Sequence, residues 1–212
     1  MKPATLFSQK VWILLPLVGS FLFLVLYAIA AHLYPGGSQA DADAKGFSWL
    51  HNYWCNLLAE KAINGQANGG QFYGYASLAV LLVTLSVFWA VAATQLKFTG
   101  RNKIVLLACG AASMLLLPFL PTTLHDEVIN CAAFLGLVAM GLIYARIYKN
   151  GWHGLFAFGL CNLLLVGLNN YVYYSPSLLQ YLPVVQKITF VFFLVWVCLV
   201  TLKLYRHSFG KA

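Results

Sequence analysis

Six long apolar runs, at residues 11–34, 72–96, 104–120, 128–145, 154–174 and 182–204, are separated by polar stretches. Each is near the twenty or so residues that a helix needs to cross the hydrocarbon of a bilayer. The connections at 97–103, 121–127, 146–153 and 175–181 are short, which makes consecutive helices antiparallel neighbours. The expected fold is all-α, a six-transmembrane-helix bundle forming a single domain over residues 1–212. The first run follows Lys2 and Lys10 and contains Ala28-Ile29-Ala30, which loosely resembles a signal-peptidase site. It is longer than the usual apolar core of a signal peptide, so the expectation is an uncleaved first membrane helix.

The one long connection, between Pro35 and Gly70, is rich in Gly, Ser, Asp, Asn and Gln but contains an apolar insert at 47–63. There Phe47, Leu50, Trp54, Leu57 and Leu58 recur at helical spacing, with His51, Asn52, Asn56 and Glu60 between them. This pattern predicts an amphipathic helix over 47–63. Trp49, Tyr53 and Trp54 suit a bilayer interface, where a ring buries its body and wets its polar edge. The predicted helix is re-entrant or lies on the membrane surface and caps the bundle.

Composition makes these helices membrane spans: 61% of the 212 residues are hydrophobic and 8% charged, too apolar for a soluble domain of this size. The formal charge of +8 does not indicate a nucleic-acid partner, because the thirteen Lys and Arg flank apolar runs without forming a continuous basic face. Their distribution gives an orientation instead. Lys2, Lys10, Lys97, Arg101, Lys103, Arg146, Lys149, Lys203, Arg206 and Lys211 fall on one side; Lys45, Lys61 and Lys187 fall on the other, with all five acidic residues. Basic loops stay in the cytoplasm, so both termini are expected there, in a cell membrane. The five Cys include no Cys-x-x-Cys, which argues against a dithiol redox enzyme. Cys55 and Cys131 both belong to the outer side, and whether they pair stays open.

Chemistry concentrates between Pro121 and Asn130, where His125, Asp126 and Glu127 are adjacent. Asp126 and Asn130 are four apart and share a helical face. At matching depth come Asn169 and Asn170 on the fifth helix and Lys187 on the sixth, while the loop brings His51 and Glu60 to the same side. An ammonium about a turn inside the interface needs a partner, and Asp126 or Glu127 is the expected one for Lys187. Thr123 to Asp126 also fits a capping box, with both carboxylates complementing the helix dipole, which explains the acids without catalysis. His125 has no capping role. His32, His153 and His207 read as ordinary interfacial residues. A metal would draw on His125, Asp126 or Glu127, and His51, but no ligand spacing supports it. Ser48 and Cys55 are the candidate nucleophiles of a hydrolase. No two His share a mid-membrane depth, which sets haem aside.

The segments Asn56-Leu57-Leu58-Ala59-Glu60, Asn64-Gly65 and Asn68-Gly69-Gly70-Gln71-Phe72-Tyr73-Gly74 resemble the first outer loop of domain-of-unknown-function family 998. Pro118-Phe119-Leu120-Pro121 followed by His125 resembles that family's junction between helices three and four. The family comprises six-helix prokaryotic membrane proteins, distantly similar to Frag/DRAM/Sfk-like proteins, some linked to lipid-anchor remodelling. It typically shows a Ser-x-Leu-Gly-like element where this chain has Asn56 to Ala59. The resemblance implies the six-helix topology and no settled activity.

The functional expectation is a protein that binds or modifies a lipid or other amphiphile at an outward-facing polar pocket. His51, Glu60, Asn130, Asn169, Asn170 and Lys187 would bind the ligand. If the site is catalytic, His125 would be the general base oriented by Asp126. The alternatives are a non-catalytic scaffold or assembly partner, packed through small residues such as Ala132 and Gly136, and, more weakly, a metal-dependent intramembrane hydrolase or a small-solute transporter. The sequence implies no cofactor. Membrane lipids are the expected partners, with room for a membrane-protein partner or a homo-oligomer.

Overall fold

A computed structural model describes residues 3–120 and 122–209, with side chains from residue 11 onward. Lys2, Pro121 and Lys211 lie outside the described residues, as does the side chain of Lys10. The regular elements are α1 (Pro3–His32), α2 (Gln71–Gln95), α3 (Gly100–Leu116), α4 (His125–Lys149), α5 (His153–Tyr173) and α6 (Leu182–Phe209). Short 3-10 turns occupy Trp54–Leu58, Leu117–Phe119 and Pro176–Tyr181. Among the described residues six helices are long and apolar enough to cross a membrane, and the chain is an all-helical, multi-pass integral membrane protein. Several helices exceed their apolar runs because Glu, Lys and Arg at the ends are good helix formers. Thus α4 takes in His125 to Glu127 at its start and runs on to Lys149.

Helix ends are fixed by local chemistry. At the end of α2 the amides of Phe98 and Lys97 donate to the carbonyls of Ala93 and Thr94 at 3.0 and 3.1 Å. Lys97 sits in the left-handed region with φ 55°, so this is a Schellman stop with Lys in the position glycine usually takes. After α4 the same pair of bonds joins Trp152 to Ile147 and Gly151 to Tyr148, here with glycine at φ 74°. The start of α4 departs from the expected capping box. Its N-cap is Leu124 and makes no side-chain cap bond. The Thr122 hydroxyl closes the preceding turn, donating to the Phe119 carbonyl at 2.7 Å and accepting the Leu124 amide at 3.3 Å. With the helix beginning at His125, Thr123 is one residue too early to cap it. Asp126 and Glu127 do lie in the first turn, where carboxylates complement the dipole.

The chain divides into two compact units. The first comprises residues 1–21, 80–158 and 195–212. Within it α3 packs on α4, and Phe88, Trp89, Leu106, Ile143, Ile147, Trp196 and Leu204 are buried. Trp196 donates its indole N–H to the Leu155 carbonyl at 2.8 Å. Close approach depends on Gly110, where an added Cβ would stand 2.6 Å from Cγ of Trp89. The small-residue contact expected at Ala132 and Gly136 is not made by both: Ala132 is buried, but a Cβ at Gly136 would meet nothing. At one end of this unit the Arg146 guanidinium lies 4.8 Å from the Phe98 ring centroid, and Lys203 5.6 Å from that of Trp152.

The second unit comprises residues 22–79 and 159–194 and contains the long loop. The amphipathic helix expected over 47–63 is absent; only Trp54–Leu58 is helical, as a 3-10 turn. Side chains take the amides a helix would need: Ser48 N–H donates to Asn52 Oδ1 at 2.7 Å and Tyr53 N–H to Asn56 Oδ1 at 2.6 Å. Ser and Asn compete with helical hydrogen bonding in this way. Nor do the apolar residues share a buried face, since Leu57 is 1% exposed and Leu50 60%. The loop is tied instead by bridges between Gly36 and Lys45 and between Lys61 and Ala67. Tyr34 Oη accepts the Ile63 amide at 3.0 Å. At Gly37, φ is +81° and a Cβ would run into the backbone at Asn64, so only glycine fits.

Candidate functional site

Lys187 lies in the second turn of α6, in a segment where lipid offers an ammonium no partner. Its Nζ donates to the main-chain carbonyl of Asn52 and, at 3.0 Å, to that of Pro183. It also stands 5.6 Å from the centroid of the Phe47 ring, a cation–π contact. The sequence reading gives Lys187 a carboxylate; the oxygens at Nζ are carbonyls. The Asn52 carbonyl has a lone pair to give because the loop is not helical there. The adjacent Gln186 Oε1 accepts the Trp54 amide at 3.3 Å, so two successive α6 side chains hold the loop.

Two asparagines that sequence reasoning did not single out as site residues build the loop from inside. Asn52 is fully buried; its Nδ2 donates to the Gly37 carbonyl at 2.9 Å while Oδ1 takes the Ser48 amide. Asn68 donates to the carbonyls of Leu57 and Ala59 at 3.2 and 2.9 Å and to that of Asn56 at 3.4 Å. Its Oδ1 accepts the Gly70 amide at 3.0 Å. The available signal was the density of Asn and Gly between 52 and 70, which marks side-chain-closed turns.

Aromatic rings fill the space between α1, α6 and the loop. Trp54 centres 3.7 Å from Tyr27, 5.5 Å from Phe23 and 5.0 Å from Phe190. Phe47 meets Trp49 edge-on at 5.3 Å and Tyr27 at 6.2 Å. Tyr27 Oη and Trp54 Nε1 are buried with no hydrogen-bond partner among the described residues. Beside this cluster, Ala28, Ala31 and His32 at the end of α1 and Lys45, Gly46, Phe47 and Trp49 of the loop line a cavity of about 430 Å³. That is within the range of small-molecule sites. It has small side chains and two rings on one hand and two basic side chains on the other. The loop backbone holding Lys45 is fixed, since Gly37 N–H donates to the Ala44 carbonyl at 2.7 Å and Gly46 N–H to that of Pro35 at 3.2 Å.

The remaining candidates divide between the units. His51 Nδ1 is 3.3 Å from Ser48 Oγ, which also accepts the His51 amide at 3.3 Å. Both contacts lie within one turn of the loop. Glu60 is exposed, and the contribution of its backbone is the carbonyl that accepts the Asn68 amide at 2.9 Å. Asn170 turns back to the Val166 carbonyl at 3.1 Å, and Asn169 keeps a buried Oδ1 without a partner. These residues and Lys187 belong to the second unit. His125, Asp126 and Asn130 belong to the first. There His125 Nδ1 meets Asp126 Oδ1 at 3.1 Å on the surface of the α4 start, with Asn130 exposed one turn on. Cys55 and Cys131 are both free thiols. Among the described residues no three His, Cys, Asp or Glu gather into a metal-binding group. Comparison of the chain with family models, with curated proteins and with solved structures gave no match.

Proposed function

We propose that this protein binds a membrane amphiphile, a lipid, in the groove between the end of α1 and residues 45–49. The observation that carries the proposal is the lining: one open cavity of about 430 Å³ is bordered by the apolar side chains of Ala28, Ala31, Phe47 and Trp49 and by the exposed basic side chains of His32 and Lys45. An amphiphile needs that pairing, an apolar surface for a chain beside polar groups for a head. The aromatic cluster and the Asn52, Asn68 and Lys187 bonds support it by holding the loop in one shape before any ligand arrives, which lowers the ordering cost of binding. The Lys and Arg distribution supports a groove on the non-cytoplasmic side of a cell membrane, with both termini in the cytoplasm. In this reading Lys187 braces the wall through Phe47 and Asn52, and His51 and Glu60 shape the loop.

The test is native mass spectrometry of the purified full chain, counting retained lipids. The wild type is expected to carry one, and Ala28→Trp, which fills the groove from an exposed helix position, to lose it. Equal lipid retention by the two would overturn the proposal and favour a scaffold role. A second reading, that the first unit by itself acts on a lipid, draws on the 3.1 Å His125–Asp126 contact at the start of α4, which gives a base with an orienting carboxylate. It requires that His125→Ala abolish turnover of a lipid by the purified protein.

A further inference from the structure

We infer that the head recognised in the groove is the phosphate of a glycerophospholipid, held by Lys45 and His32, a deepening that rests on the lipid-binding reading above. The two basic side chains line the same cavity from different elements, His32 from the last turn of α1 and Lys45 from the loop. An ammonium offers three donors and an imidazole at least one N–H, a set that suits phosphate oxygens. The nearby acids do not stand in for the ligand: neither Asp41 nor Asp43 lines the cavity, and Asp41 Oδ1 accepts the Asp43 amide at 2.9 Å. The bridge to Gly36 fixes the backbone of Lys45, and with it the point at which the side chain leaves the loop. Ala28 and Ala31, three apart on one helical face, line the same cavity as Phe47 and offer apolar surface to the glycerol and the first stretch of a chain. Trp49, half exposed at 54%, suits the level where headgroup meets hydrocarbon.

The experiment compares a phosphatidylglycerol with a diacylglycerol of the same chains, each added to the delipidated full-length protein in detergent and followed by native mass spectrometry. Wild type is expected to prefer the phospholipid. Lys45→Gln should reduce phospholipid occupancy about fivefold, the usual effect of one basic group near an anionic head, and leave diacylglycerol unchanged. Lys61→Gln removes an exposed lysine of the same loop that does not line the cavity, and it should have no effect. If Lys45→Gln keeps the wild-type preference, or if Lys61→Gln loses as much, the phosphate assignment is overturned while the groove survives. If Ala28→Trp retains both lipids, the groove itself fails and the inference falls with it. Competition by inorganic phosphate as strong as that by phospholipid would assign the two basic side chains to a free anion and overturn the lipid source.

Discussion

An ammonium inside a membrane helix has to be given oxygen, and Lys187 receives it from main-chain carbonyls at Asn52 and Pro183. The economy lies in the loop: a segment that does not become helical has carbonyls to spare, and one lysine satisfies what the missing helix leaves open. Lys187→Leu should therefore destabilise the protein by about 1–3 kcal/mol, the cost of leaving a buried carbonyl unpaired. Thermal unfolding in detergent would measure it, with faster proteolysis between 45 and 60 as the local sign. Wild-type stability in that variant would mean the contact is incidental. The charge itself was legible in the sequence, because a lysine in an apolar run demands an explanation. Its partner was not, since any carbonyl in a non-helical loop qualifies and sequence does not mark which one is free.

Among the elements, the membrane helices were legible and the loop was not. A run of about twenty apolar residues has few alternatives in lipid, and all six appear. The 47–63 insert carried helical spacing too, but Ser48, Asn52 and Asn56 sit where their side chains take the amides, and local hydrogen bonding overrides periodicity. The same contrast holds for helix packing. A pair of small residues four apart, Ala132 and Gly136, drew attention in the sequence, yet the tight contact is at Gly110, against the ring of Trp89. Spacing identifies small residues but not the large one that needs them. Gly110→Val should cost about 1–3 kcal/mol through overpacking, read as a lowered unfolding temperature. Gly136→Val, placed in open space, should cost far less.

For the whole molecule, the charge asymmetry makes a prediction that does not depend on the groove. A reporter fused after α6, or inserted at 97–99, should report the cytoplasm, and one inserted at 41–43 the opposite side. An inverted result would put the groove in the cytoplasmic leaflet and change which lipids reach it. The candidate site was legible only in part. His125 and Asp126 were named together in the sequence as a base and its orienting carboxylate, and their side chains stand 3.1 Å apart; adjacency in a helix does not by itself bring this about, because successive side chains diverge. The groove was not foreseen, since it arises where Ala28, Ala31 and His32, unremarkable on a membrane helix, come against Lys45 to Trp49.

The loop carries two Asn-Gly pairs, Asn64-Gly65 and Asn68-Gly69, the pairing in which a backbone nitrogen most easily attacks a side-chain amide, expelling ammonia and leaving an imide that water opens to a carboxylate. Of the two, Asn68 is the one whose amide holds three loop carbonyls. Here the side-chain amide is anchored on the carbonyls of Leu57, Ala59 and Asn56, so the fold restrains the rotation that such an attack needs. Were the change to occur, those carbonyls would face a negative oxygen in place of a donor. The loop therefore protects the residue that assembles it, and a molecule that opens there once, for long enough to lose ammonia, has no route back.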